Sequence, residues 1–310
     1  MTGEWVEAAQ RQEVRERPRV NADAYSARVC LRELLASDQI ACASGAHDVL
    51  SALVAERVGF DAVWASGFAI SAAQGLPDLG LLSMTEHLRV AAAMALACRI
   101  PVLADCDTGF GGVLNVVHTV RSYEAAGVAG ICIEDKTFPK RNSFLDTDQD
   151  LLPATEFARR LGIAKAAQRD EDFVVVARTE ALICGENVDD ALERAALYAD
   201  AGADAILVHS RDSEPTEVAA FLGGWDRDLP VIVVPTSYYS WTADAAGRAG
   251  AALVVYANQA LRASVHAMED SLRRVLESGS SAAVEDEIAD LDEVFRLTQV
   301  GEWLALEGRP

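Results

Sequence analysis

No run of about 18 apolar residues occurs in the 310-residue chain, so nothing in it is long enough to cross a membrane as a helix. Basic residues are in short supply: 27 Lys and Arg stand against 48 Asp and Glu, a net charge of −21. That balance removes the basic stripe a nucleic-acid partner requires. It also repels small anions at long range, so any anion site must be built from local positive charge, either a metal or a few Lys and Arg. The six cysteines (Cys30, Cys42, Cys98, Cys106, Cys132 and Cys184) form no CxxC and no metal-type spacing, which points to buried free thiols in a reducing compartment. Cys106 lies between two aspartates, whose charge raises a thiol pKa and argues against a nucleophile. The start of the chain, from Met1 to Val20, is charged throughout and lacks a secretory pattern, so the expected location is cytoplasmic.

What is present is a regular alternation over most of a chain that is 51% hydrophobic. Short apolar runs read as strands at Ile40–Ala43, Ala62–Ala65, Val102–Ala104, Gly130–Ile133, Phe173–Ala177, Ala205–Val208, Val231–Val234 and Ala252–Tyr256. Helical periodicity separates them at Val49–Arg57, Thr85–Ala97, Val116–Ala126, Thr155–Ala167, Asp190–Ala201 and Ala243–Ala249. Ala126-Gly127, Ala201-Gly202 and Ala249-Gly250 each precede a strand, where glycine can close a helix in the left-handed conformation. Eight strands alternating with helices predict a (β/α)8 TIM-type barrel. A doubly wound open sheet is the alternative, but no GxGxxG follows the first strand to support it. The expected organisation is an extension over 1–27, a catalytic barrel over 28–280 and a helical segment over 281–310. Asn258–Leu276 reads as a long helix, and Val284–Val300 as an acidic amphipathic one with Ile288, Leu291, Val294, Phe295 and Leu297 on one face.

Polar residues gather where the strands end, which in a (β/α) barrel is where the active site forms. Trp64-Ala65-Ser66-Gly67-Phe68 closes the second strand, Asp105 and Asp107 the third, and Glu134 the fourth. Arg178 and Glu180 follow on the fifth, His209 and Ser210 on the sixth, then Thr236 and Asn258, with Asp78 in the long loop after the second. Each has a dull explanation, such as a helix cap for Thr236 or a structural Arg178–Glu180 ion pair. Their coincidence at one face is the stronger signal. Asp105 and Asp107 alternate along a strand and should diverge unless the strand has already ended, as Thr108-Gly109 suggests. Oxygen ligands without histidine or thiolate clusters select a hard cation, and few carboxylates with retained waters favour Mg2+ over Ca2+.

The stretch Glu134-Asp135-Lys136-Thr137-Phe138-Pro139-Lys140-Arg141-Asn142-Ser143 could be a solvated charged loop. It also resembles the signature loop of the phosphoenolpyruvate mutase family, in the superfamily that holds phosphonopyruvate hydrolase and isocitrate lyase. The resemblance extends from about Leu31 to the C-terminal region. It implies an isomerase that interconverts phosphoenolpyruvate and phosphonopyruvate, with Asp105 binding Mg2+ directly and Asp78, Asp107 and Glu134 acting mainly through its waters. It further implies that Ser66 and the amides of Gly67 and Phe68 cradle the substrate carboxylate beside Trp64. Arg178, His209, Lys140, Asn142 and Ser143 then face the phosphoryl group, with Asp78 among the catalytic residues. The family carries leucine at the position of Phe68, a tolerable change where a backbone amide does the binding. It also implies a homo-oligomer, dimer or tetramer, in which the eighth barrel helix is exchanged between subunits.

The superfamily's carbon–carbon lyases carry a cysteine in a K-[KR]-C-G-H loop at this place, and none stands here. Gln74-Gly75-Leu76-Pro77-Asp78-Leu79-Gly80 looks more like those lyases and the hydrolase than like typical mutases. Phosphonopyruvate hydrolase shares the EDKTFPK start but carries threonine at the position of Asn142, whereas Asn142-Ser143 matches the mutase form. A barrel acting only as a binding scaffold would be expected to lack one or more acidic ligands, and all are present.

Overall fold

The computed structural model describes residues 27–147 and 149–308. The expected extension over 1–27 lies, but for Ala27, outside the described residues. Eight parallel strands pair in sequence order, and the eighth returns to the first, so the sheet is a closed barrel. They are β1 (Ala41–Ala46), β2 (Ala62–Ala65), β3 (Val102–Asp105), β4 (Gly130–Glu134), β5 (Val174–Thr179), β6 (Ala205–Val208), β7 (Val231–Val233) and β8 (Ala251–Tyr256). A first helix, α1 (Ala27–Ala36), precedes them. The crossovers are α2 (Val49–Val58), α3 (Gly67–Ala73), α4 (Met84–Ala97), α5 (Val113–Ala125), α6 (Ala154–Ala167), α7 (Val188–Asp200), α8 (Thr216–Gly224) and α9 (Ala243–Arg248). After β8 come α10 (Gln259–Ser278), α11 (Leu291–Leu297) and α12 (Val300–Glu307).

Strand alternation divides the core into two shells. Val174 and Val176 of β5 point into the barrel with Leu103, Leu207, Ile232 and Leu253, where Leu31 and Leu35 of α1 join them. Val175 and Ala177 point outward, against a helical layer that includes Phe157, Tyr198 and Phe221. The three Ala-Gly junctions do what their composition predicts: Gly127, Gly202 and Gly250 have φ of 80°, 96° and 107°, which only glycine adopts without strain. Gly45 answers a different demand, since a Cβ there would lie 2.0 Å from the Ala257 carbonyl oxygen. The close approach of β1 to the end of β8 therefore depends on the missing side chain.

The C-terminal expectation needs correction. No single helix spans 284–300; a 3-10 turn occupies Ser281–Ala283, and helix resumes only at Leu291. Two local interactions explain the break. Arg274 of α10 holds Glu287 at 2.7 and 2.8 Å, drawing the intervening segment back onto that helix. Asp290 caps α11 by accepting from Glu293 N–H, which fixes where the helix begins. Gln299, at φ 56°, then separates α11 from α12. Among the described residues no helix is long and apolar enough to cross a membrane.

Candidate active site

The carboxyl ends of the strands surround a cavity of about 360 Å³. Of the residues expected in the site, Trp64, Ser66, Phe68, Asp78 and Asp105 line it, together with Lys140, Asn142, Ser143, Arg178 and His209. Gly67, Asp107 and Glu134 lie just behind that lining, each tied to a residue on it. Strand β3 stops at Asp105, and Asp107 takes a left-handed φ of 49°, so the two carboxylates need not diverge as strand residues would. Asp105 accepts from Gly67 N–H and Asp107 N–H, both at 3.3 Å. The Gly67 amide is thus turned toward Asp105 rather than left open for a substrate carboxylate. The Ser66 hydroxyl accepts from Ala69 N–H at 3.3 Å, which leaves its own proton available.

The loop after β4 is folded over the cavity by its charges. Lys140 Nζ is 2.8 Å from Asp78 Oδ1 and 2.9 Å from Asp107 Oδ1, and Asn142 Nδ2 donates to Asp78 Oδ2 at 2.7 Å. Burial alone would raise the Asp78 pKa, but Lys140 and Asn142 overcome it and hold the carboxyl below its ordinary value. Asp107 is more deeply enclosed, and burial pushes it up to about 7 despite Lys140. Burial works against the Lys140 ammonium too, yet Asp107 and Asp78 keep it protonated well past the usual lysine range. Phe144 sits edge-on to His209, with ring centroids 5.5 Å apart, and supplies an apolar cover.

On the β5–β6 side, Arg178 Nε lies 2.6 Å from Glu180 Oε1 and 3.5 Å from Glu134 Oε2. Its Nη2 reaches Ser143 Oγ at 3.2 Å and His209 Nδ1 at 2.9 Å. Both readings of the Arg178–Glu180 pair therefore hold: the ion pair exists, and it aims the guanidinium at the cavity. Burial would raise Glu180, but Arg178, Lys136 and His209 hold it well below the carboxylate range. Burial lowers the His209 pKa more than Glu180 raises it, so the ring is neutral near pH 7.

Three participants escaped sequence reasoning. Lys136 is fully enclosed and binds Glu180 Oε2 at 2.9 Å, Arg141 O at 2.8 Å, and Ser143 Oγ and Gln149 Oε1 at 3.0 Å. It is the hub that fastens the loop to β5; only its place in the ten-residue motif could have hinted at this. His87 of α4 is buried against Phe110, with ring centroids 5.3 Å apart, and its Nδ1 has no hydrogen-bond partner. Arg262, in the first turn of α10, also lines the cavity.

Among the described residues no three His, Cys, Asp and Glu side chains converge closely enough to hold an ion by themselves. Mg2+ does not need such a cluster, because it keeps several waters and takes one or two carboxylates. Two observations fit a divalent cation here. Among the described residues Asp78, Asp105, Asp107, Glu134 and Glu180 pair only with Lys136, Lys140 and Arg178, so with every carboxylate ionised five negative charges meet three positive ones, an excess of two that a divalent cation would cancel. Glu134 Oε1 is buried without a hydrogen-bond partner, its nearest cation being Lys136 Nζ at 3.7 Å, and burial raises its pKa.

Comparison with known proteins agrees with this geometry. Residues 31–276 match the family described as phosphoenolpyruvate phosphomutase. The phosphoenolpyruvate phosphomutase of Tetrahymena pyriformis is 43% identical over 268 residues, 86% of this chain and 89% of its own length. The phosphonopyruvate hydrolase of Variovorax sp. (strain Pal2) is 42% identical over 281 residues, 90% of this chain and 97% of its own. The solved structure of phosphoenolpyruvate phosphomutase from Streptomyces platensis subsp. rosaceus superposes with a TM-score of 0.89 at 49% identity, covering 90% of this chain and 98% of that one. A phosphonopyruvate hydrolase complex with oxalate and Mg++ gives 0.87 at 40% identity, covering 92% and 99%.

Proposed function

The chain belongs to the phosphoenolpyruvate phosphomutase family, and from that premise we propose that it is an isomerase interconverting phosphoenolpyruvate and phosphonopyruvate. In the forward direction the P–O bond of phosphoenolpyruvate breaks and a P–C bond forms at C3, while the enol oxygen becomes a carbonyl. No water and no net proton are consumed. A transition state of loose, metaphosphate-like character leaves the protein little covalent work, so positioning and charge stabilisation carry the rate.

The chain's own groups divide that work. The Ser66 hydroxyl and the Phe68 amide hold the substrate carboxylate. Arg178, aimed by Glu180, and His209 take the phosphoryl oxygens. His209 Nδ1 lies 2.9 Å from both Arg178 Nη2 and Glu180 Oε1, which fixes the ring, and its buried Nε2, without a partner among the described residues, is the atom left to face the anion. Asp105 would hold Mg2+ directly, with Asp78, Asp107 and Glu134 hydrogen-bonding its waters. An ion held there would supply Lewis-acid stabilisation of the charge that develops on the enolate. Lys140 and Asn142 seal the site from above, and Phe144 keeps water off the migrating group.

One observation carries the mutase reading over hydrolysis. The Asn142 amide lines the cavity, pinned by Asp78 and by Phe144 N–H, which donates to its Oδ1 at 3.0 Å. A side-chain amide is a poor base, so it holds phosphoryl oxygens without activating water. Phosphorus NMR of phosphonopyruvate incubated with the protein and Mg2+ tests this: phosphoenolpyruvate is the expected product, and inorganic phosphate with pyruvate would establish the hydrolase instead.

The reading includes a homo-oligomer with an exchanged eighth helix. Helix α10 runs 20 residues without one buried side chain, and Val265, Met268, Leu272 and Leu276 lie exposed along it. Sedimentation at micromolar concentration is expected to give a dimer or tetramer. A compact, active monomer would count against the exchange.

A further inference from the structure

Among the described residues Lys140, Arg178 and Arg262 are the cations that line the cavity, and two are already committed. Lys140 lies between Asp78 and Asp107, and Arg178 is held by Glu180 and Glu134. The third, Arg262, is exposed, and among the described residues its guanidinium has neither an ion pair nor a side-chain hydrogen bond. Its backbone N–H donates to Asn258 O at 3.1 Å, which sets it in the opening turn of α10, directly after the end of β8. Asn258 shares the cavity lining, and its Oδ1 is buried with no partner.

This placement matters because the surroundings are hostile to anions. The whole chain carries −21, and the cavity floor sets five carboxyl groups against three cations before any metal binds. An incoming acid with a carboxylate and a phosphoryl or phosphono group is repelled by both. Low-dielectric walls concentrate such a field, so one uncompensated charge at the rim alters capture far more than it would on open surface. Neither Lys140 nor Arg178 can serve this purpose, since each is neutralised by carboxylates less than 3 Å away. A free guanidinium can also close on an anion as a planar fork.

We propose that Arg262 is the specificity-determining cation of this cavity: it captures small acids bearing a second, phosphoryl-type anionic group and holds that charge at the rim. This rests on the mutase reading for the substrate class, although either product could follow capture. The role is in binding and not in the chemical step, so it belongs to KM.

The experiment compares parent, Arg262→Gln and Arg262→Lys in Mg2+, following phosphonopyruvate consumption at about 0.01 M and about 0.15 M ionic strength, where the screening length falls from about 30 Å to about 8 Å. The parent's kcat/KM should fall with salt. Arg262→Gln should lose about tenfold in kcat/KM at low salt, nearly all through KM, with kcat within about twofold. Its salt dependence should reverse, because only repulsion is left to screen. Arg262→Lys should restore the parent's direction, which a merely structural role would not produce. A salt slope in Arg262→Gln matching the parent's, or a loss carried by kcat, overturns the proposal. Product identity is read in parallel: phosphate in place of phosphoenolpyruvate would sink the mutase reading while leaving the slopes decisive for Arg262.

Discussion

Asp105→Ala is expected to abolish turnover while leaving the barrel folded. Asp105 ends β3 at the cavity wall, where among the described residues its hydrogen bonds are two long ones, both 3.3 Å, from Gly67 and Asp107 amides. Little packing is lost with its carboxylate. Its removal also relieves part of the excess negative charge beside Asp107, so the melting temperature should hold or rise. What disappears is the carboxylate proposed to bind the metal directly, and the one lining the cavity that carries no ion pair among the described residues; Asp78, which also lines it, is held by Lys140. Loss of Lewis-acid charge stabilisation amounts to several kcal/mol, or roughly 1000-fold or more in rate at about 1.4 kcal/mol per tenfold. Thermal melts with and without Mg2+ provide a readout apart from activity. The parent should gain stability, about 2.7 kcal/mol at 100 times the dissociation constant, and the variant should not. Near-normal turnover of the variant at saturating Mg2+ would place the metal elsewhere.

Asn142→Thr is expected to cut phosphoenolpyruvate formation by about 100- to 1000-fold, the usual cost of removing a transition-state donor. Phosphate release from phosphonopyruvate should persist or rise. Asn142 donates to Asp78 at 2.7 Å through one amide hydrogen and keeps the second for a ligand. Threonine is shorter and loses both. It also opens room for a water that its hydroxyl can orient toward phosphorus, and it leaves Asp78 to Lys140 alone. Stability should change little, since the loop remains fastened through Lys136. Equal mutase rates in variant and parent, measured by phosphorus NMR, would make Asn142 a bystander.

The barrel was legible because its determinants are local. Each strand is a short apolar run, and each Ala-Gly junction closes a helix by a conformation available to glycine. The strand ends carried the candidate residues for the same reason, since their position follows once the strands are known. What stayed hidden depends on contacts distant in sequence. Lys136 and Glu180 meet across 44 positions, and nothing in the motif says that Lys136 turns inward while Lys140 reaches Asp78. Arg262 sits within an ordinary amphipathic helix pattern, and only the closure of β8 onto β1 brings it to the cavity. His87 looked like any helix residue. The expected helix over 284–300 failed through a pairing that periodicity does not register, Arg274 with Glu287, and through the cap at Asp290.

Lys140 belongs to the loop, but Asp78 and Asp107, which it bridges, belong to the bowl beneath. As the loop stands, Lys140 is the cation nearest both of those carboxylates; were the loop lifted, Asp78 and Asp107 would lose it, while Lys136 and Arg178 would stay with Glu180 and Arg262 at the rim. Opening would therefore deepen the negative potential beneath a bound anion. Cover and counter-charge would thus leave together, because one side chain, Lys140, provides both.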